Sequence, residues 1–245
     1  MAYIVPMTRP FLSARWKNLL NLTYEVPPEL LEPHCPDALE LEREGGHSFV
    51  SVVGFDFTET RVWGVPWPGY TNFSELNLRF YVRYKGERGV VFIREFVPKR
   101  MVAWLARLFY DEPYSHAPMS SSQELRHDSR TWSLEIKHRG RKHELGVTTT
   151  DLSPHVPDED SRDHFFKEHT WGFDADSDGS TRRYRVVHPR WAVYDIDELE
   201  VDLDFGLLYG EDWEFLNGAE PAHTIFAQGS DVEVYPSEEI TDGDG

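Results

Sequence analysis

Cysteine is almost absent from this chain. Cys35 stands alone among 245 residues, which excludes an internal disulfide and fits a reducing compartment. Lysine is scarce as well: Lys17, Lys85, Lys99, Lys137, Lys142 and Lys167 are all there are, and the other basic residues are arginine. No apolar run approaches membrane-spanning length, and the opening MAYIVPMTRPFLSARW has no basic segment followed by an apolar one, so a soluble, cytoplasmic protein is expected. Three chemical signatures are also lacking. No glycine cluster follows a strand as a phosphate loop or dinucleotide fingerprint requires. Ser120, Ser121 and Ser122 lack a G-x-S-x-G elbow. Nothing like H-E-x-x-H occurs, and His164 and His169 flank Lys167 and Glu168 at a spacing poorly suited to two ligands on one helix face.

What the chain has in excess is acid. With 43 acidic against 25 basic residues the formal charge is −18, which argues against nucleic acid or an anionic membrane as partner. An acidic, lysine-poor surface stays hydrated in concentrated salt, so a salt-adapted (halophilic) source is expected.

Strands dominate the pattern. Trp16 to Val26 reads as a first strand, followed by a short helix in ELLEPH and a short strand over Leu39 to Glu42. Phe49 to Phe57 is apolar on both faces, as in a strand inside a barrel or between layers. A Pro/Gly loop, Trp63 to Thr71, carries Trp63, Trp67 and Tyr70 and either covers a pocket or packs over a core edge. Phe73 to Tyr84 alternates most clearly. Leu76, Leu78, Phe80 and Val82 face one way, and Glu75, Asn77, Arg79, Tyr81 and Arg83 the other, a polar face that is solvated or lines a cavity. Later come a strand over Ser115 to Arg126, a hairpin turning at Arg139-Gly140, a helix within Pro157 to His169, strands from Tyr184 to Ile196, partial helix in Leu203 to Leu216, and a last strand, Ile225 to Tyr235. Asp174, Asp176, Asp178 and Gly179 begin like a calcium loop, but its twelfth position is Arg185, so an acidic turn is favoured. No metal or cofactor is expected. Residues 1–236 are expected to form one domain and 237–245 an acidic flexible tail.

One stretch, GVVFIREFVPKRMVAWLARLFY (89–110), joins a strand to an amphipathic helix through Pro98, with Lys99 and Arg100 at the corner. There the helix end is positive and the two cations repel. Crowding and desolvation would turn Lys99 into a neutral nucleophile. Alternatively the pair seats an anion, or both side chains reach water.

PFLSARW, FSELNLRFYV, VFIREFVPKR, FFKEHTWGF and YRVVHPRW, in that order, resemble the YqjF-like family, a domain of unknown function grouped by fold with the acetoacetate decarboxylases. The resemblance spans nearly the whole chain. It implies an α+β fold, a mainly antiparallel bent β-barrel with a few helices around a small-molecule cavity, and is compatible with a homo-oligomer. In the decarboxylases a Pro-Lys-Lys motif carries the Schiff-base lysine, and Pro98-Lys99-Arg100 looks similar, with Arg100 where the second lysine would be. Glu75 is similar to an acidic pocket residue. Two functions then stand as expectations. One is a lyase-like enzyme whose Lys99 attacks the ketone of a small oxo acid, with Arg100 lowering the lysine pKa or holding the carboxylate and Glu75 orienting water or shuttling a proton. The other is a non-catalytic binding or sensor protein for a small carboxylate or apolar metabolite.

Overall fold

The computed structural model describes residues 9–98, 114–175 and 180–240. The main strands are β1 (Leu12–Val26), β2 (Ser48–Val62), β3 (Phe73–Tyr84), β4 (Glu87–Val97), β5 (Met119–Leu125), β6 (Arg130–His138), β7 (Arg141–Thr149), β8 (Trp171–Ala175), β9 (Thr181–Val187), β10 (Ile196–Asp202), β11 (His223–Ala227) and β12 (Asp231–Val234). Seven of them close into a barrel in the order β1–β12–β9–β8–β4–β3–β2, and the long antiparallel pairing of β2 with β1 completes the ring. Only β8 against β4 is parallel within it. A second, antiparallel sheet, β10–β7–β6–β5, packs on the outside of the wall. The fold is thus the bent, mainly antiparallel α+β barrel that the sequence suggests.

β3 explains why barrel and second sheet belong together. Leu76, Leu78, Phe80 and Val82 are fully buried in one core with Trp132, Leu134, Leu145 and Val147 of β6 and β7. The alternate residues, Glu75, Asn77 and Tyr81, are buried too, on the barrel's inner side. Along most of its length the strand is buried on both faces, so Glu75, Asn77 and Tyr81 must find partners inside. On neighbouring β2, Gly54 makes the close approach of the layers feasible: a Cβ there would stand 3.1 Å from Leu134 Cδ2 and 3.4 Å from Trp132.

β4 contains a bulge. Arg94 pairs with Leu78, but Phe92 pairs with Arg79, so Ile93 is an extra residue. Glu95 therefore faces the barrel interior together with Phe92 and Val90, while Val91, Ile93 and Phe96 join the core under the second sheet.

The short helix α1 (Arg162–Lys167) begins where Ser161 Oγ accepts from the His164 N–H at 3.2 Å. Its end is fixed to the barrel through one carbonyl. Phe166 O accepts from Asn21 Nδ2 at 3.2 Å, Arg79 Nη2 at 3.4 Å and Tyr81 OH at 3.4 Å. A helix α2 (Phe205–Tyr209) is capped by Asp204 and runs on into a 3₁₀ turn, Glu211–Leu216, matching the partial helix expected there. ELLEPH forms two 3₁₀ turns. The single last strand expected over Ile225 to Tyr235 is two strands, β11 and β12, because Gly229 takes φ +81° and lies where a Cβ would collide with the Trp16 carbonyl. Beyond β12, Glu238–Glu239 pair with β9, and Arg183 bonds Glu238 at 2.8 Å. Among the described residues no helix is long and apolar enough to cross a membrane.

Candidate functional site

A cavity of about 160 Å³ occupies the barrel, and all seven barrel strands contribute to its wall. Most of the wall is aromatic or aliphatic: Trp16, Phe55, Phe57, Phe92, Trp171 and Trp191 are its largest parts. Trp67 and Tyr70 of the Pro/Gly loop also border it, so that loop does cover a pocket. Trp63, from the same loop, packs edge-on against Phe11 at 5.3 Å, the other role weighed for it.

Two polar groups interrupt this wall. The first is acidic. Glu75 and Glu95 are 3 % and 2 % exposed, and Glu95 hydrogen-bonds Glu75. Asn77 Nδ2 donates to Glu75 Oε1 at 3.0 Å, and Tyr114 OH donates to Oε2 at 3.4 Å. Burial pushes the Glu75 carboxyl up to about 7, against the opposing pull of Asn77, Glu95, Tyr114 and the Arg79 charge. Two buried carboxyls within hydrogen-bond reach share a proton more readily than they carry two negative charges. The pair is therefore a proton donor and acceptor poised near neutrality.

The second group is basic and sits at the end of α1 and the start of β8. The Lys167 side chain is 3 % exposed and forms an ion pair with Glu168. Glu168 is fixed in turn by the Trp191 N–H at 3.1 Å, and His188 Nδ1 is 3.9 Å from its other oxygen. His188 donates through Nδ1 to the Pro189 carbonyl at 2.9 Å and stacks on Trp191 with centroids 3.9 Å apart. His169, against the Tyr81 ring, is held neutral: burial, then the charges of Arg79 and Arg88, lower its pKa well below the ordinary value. Arg79 completes the group. It reaches the cavity beside its contact with Phe166 O, and among the described residues no carboxylate lies within ion-pair distance of it.

Of the residues singled out from the sequence, Glu75 lines this cavity. Lys99 and Arg100, with the helix expected after them, lie outside the described residues. β4, which leads toward them, ends at Val97, and its Phe96 pairs with Leu76 next to Glu75. Residues 176–179 of the acidic turn are also outside the described residues. Among the described residues no group of three or more His, Cys, Asp or Glu is placed to hold a metal. Sequence reasoning did not single out Glu95, Lys167 or His188 for this site. Asn77 and Arg79 were on the strand's polar face, and His169 was weighed only as a metal ligand.

The DUF2071 family model, described as an uncharacterized conserved protein, matches residues 13–231. The chain belongs to this family. The uncharacterized protein YqjF of Bacillus subtilis (strain 168) is 35% identical over 109 residues, a match covering 44% of this chain and 45% of that protein. The chain thus aligns with under half the length of the curated relative. Among solved structures, acetoacetate decarboxylase from Legionella pneumophila is similar with TM-score 0.64 at 14% identity, covering 98% of this chain and 94% of that one. The enduracididine biosynthesis enzyme MppR, complexed with the condensation product of pyruvate and imidazole 4-carboxaldehyde, gives TM-score 0.66 at 13% identity, covering 99% and 97%. An acetoacetate decarboxylase-like enzyme from Sphingomonas wittichii RW1 gives 0.64 at 12%, covering 98% of each. These neighbours share the fold, and enzymes are among them.

Proposed function

We propose that the barrel cavity is a small-molecule site and that the protein is a lyase acting on a small oxo acid. The observation that carries this reading is the Glu75–Glu95 pair, a buried acid near neutrality facing a mostly apolar chamber. In this reading the Lys99 amine attacks the ketone carbon of the substrate. The carbonyl oxygen takes up protons and leaves as water, which gives an iminium. For a β-oxo acid the bond to the carboxylate then breaks, carbon dioxide departs, and its electron pair moves toward the iminium nitrogen. The Glu75–Glu95 pair returns a proton to the resulting carbanion, and water hydrolyses the imine. Arg100 would depress the lysine pKa.

The test is covalent trapping. Incubation with acetoacetate or pyruvate and borohydride, followed by intact mass and peptide mapping, is expected to give one reduced adduct on Lys99. No adduct across a panel of oxo acids would remove the lyase reading. The aromatic and aliphatic predominance of the wall favours a second reading, a binding protein without chemistry. Ligands would then raise the melting temperature without any adduct forming.

A further inference from the structure

Resting on the reading of the cavity as a small-molecule site, we propose that its ligand is a carboxylate bearing an aryl-sized apolar body, with the ring between the aromatic walls and the carboxylate on Arg79 and His169.

Size is the first argument. Apolar cavities of about 150 Å³ take up benzene, and this one, at about 160 Å³, is of that class. Its wall offers rings to pack against: Trp16, 5.0 Å from Phe55 and 5.5 Å from Phe57, centroid to centroid, and Phe92 of β4.

Unsatisfied groups are the second argument. His169 is 8 % exposed and borders the cavity, yet among the described residues neither ring nitrogen has a hydrogen-bond partner. Arg79 Nε is likewise buried and without a partner. Buried polar groups are ordinarily satisfied, and a neutral imidazole beside an unpaired guanidinium offers an N–H and a fork of donors to one anion. Lys167, compensated by Glu168, adds a cation at the edge of this seat without demanding a ligand of its own. Glu75 lies on the same face of β3, four residues from Arg79, a backbone rise of about 14 Å, with the Arg79 charge still acting on its carboxyl. The two poles therefore suit the two ends of an elongated molecule, with the carboxylate at one and the group exchanging a proton at the other.

Calorimetry on the full chain with phenylpyruvate, pyruvate and phenylacetone tests this. Phenylpyruvate is expected to bind at least about 30-fold more tightly than pyruvate, because the buried ring alone supplies that much. Arg79→Gln is expected to weaken phenylpyruvate on the order of 30-fold and to leave the uncharged phenylacetone within about twofold. Because Arg79 also holds Phe166 O, Arg79→Lys, which keeps the charge but loses the fork, serves if the glutamine variant does not fold, with about a tenfold loss expected. Tyr81→Phe, which removes another donor from the same carbonyl and so reports the positional part of the loss, is expected to weaken phenylpyruvate by no more than about threefold. Equal affinity for pyruvate and phenylpyruvate, no binding of either acid, or an Arg79 variant that binds phenylpyruvate like the parent would overturn the proposal. Borohydride trapping separates this from the lyase reading. Tight, Arg79-dependent phenylpyruvate binding with no adduct removes the lyase and keeps the ligand assignment, whereas an adduct formed without preference for the ring does the reverse.

Discussion

The two faces of β3 are made by alternate residues of one strand, both buried, and they do opposite work. Outward, Leu76, Leu78, Phe80 and Val82 are fully buried against the second sheet. Inward, Glu75, Asn77 and Arg79 border a space that none of the described residues fills. Close packing on one side and an open, polar-studded wall on the other is the division expected of a scaffold and a site: the first contributes stability, and the second spends some of it on groups held away from water. Burial alone does not tell them apart. What does is whether the polar atoms are satisfied.

The sharpest contrast should come from truncation. Phe80→Ala, on the packed face, is expected to destabilise by about 4 kcal/mol in urea unfolding. A loss below about 1 kcal/mol would mean that the inter-sheet core is looser than described.

Glu75→Gln probes the other face and should act in the opposite direction. Because the folded carboxyl is raised to about 7, the native state holds its proton more tightly than the unfolded chain. The parent's stability should therefore fall as pH rises from about 4.5 to about 7, and level off above that. The glutamine variant lacks this decline, so it should be more stable than the parent at pH 8 by on the order of 3 kcal/mol, with little difference at pH 4. Denaturant midpoints across that range measure it. A difference independent of pH would remove the buried-acid account.

Smaller still, Gly54→Ala presses a methyl toward Leu134 at the junction of barrel and sheet, and should destabilise by about 2 kcal/mol on thermal melting while leaving ligand binding alone. Ser122→Ala, on exposed β5 with its hydroxyl against Ser133 Oγ of β6, touches neither face. Its change should stay within about 0.5 kcal/mol.

Much of this architecture was legible in the sequence because it rests on local periodicity. The alternation of β3, the apolar β2 and the Arg139-Gly140 hairpin all follow from a two-residue repeat, and the ordered family blocks carried the barrel. Glu75 was legible as part of that resemblance. Glu95 was not, since strict alternation counted back from Glu95 would put Ile93 and Val91 inside, and only the bulge brings Phe92 and Val90 to its face. Lys167 and His169 were hidden for a different reason. Their position depends on Asn21, Arg79 and Tyr81 gripping the Phe166 carbonyl from distant strands, and no local pattern announces such a contact. The split of the last strand at Gly229 depends likewise on the Trp16 backbone far away in sequence.

The extra residue in β4 also sets how this strand can vary. Side chains along a strand follow an even–odd count, and Ile93 is where the count is reset. Deleting it would leave an unbroken ladder, with Phe92 opposite Arg79 and Arg94 opposite Leu78, and would keep Glu95 on the chamber side and Phe96 on the outer side. The bulge is thus a length difference that the sheet can lose without exchanging its two faces, and its removal is expected to straighten β4 rather than turn Glu95 out of the chamber.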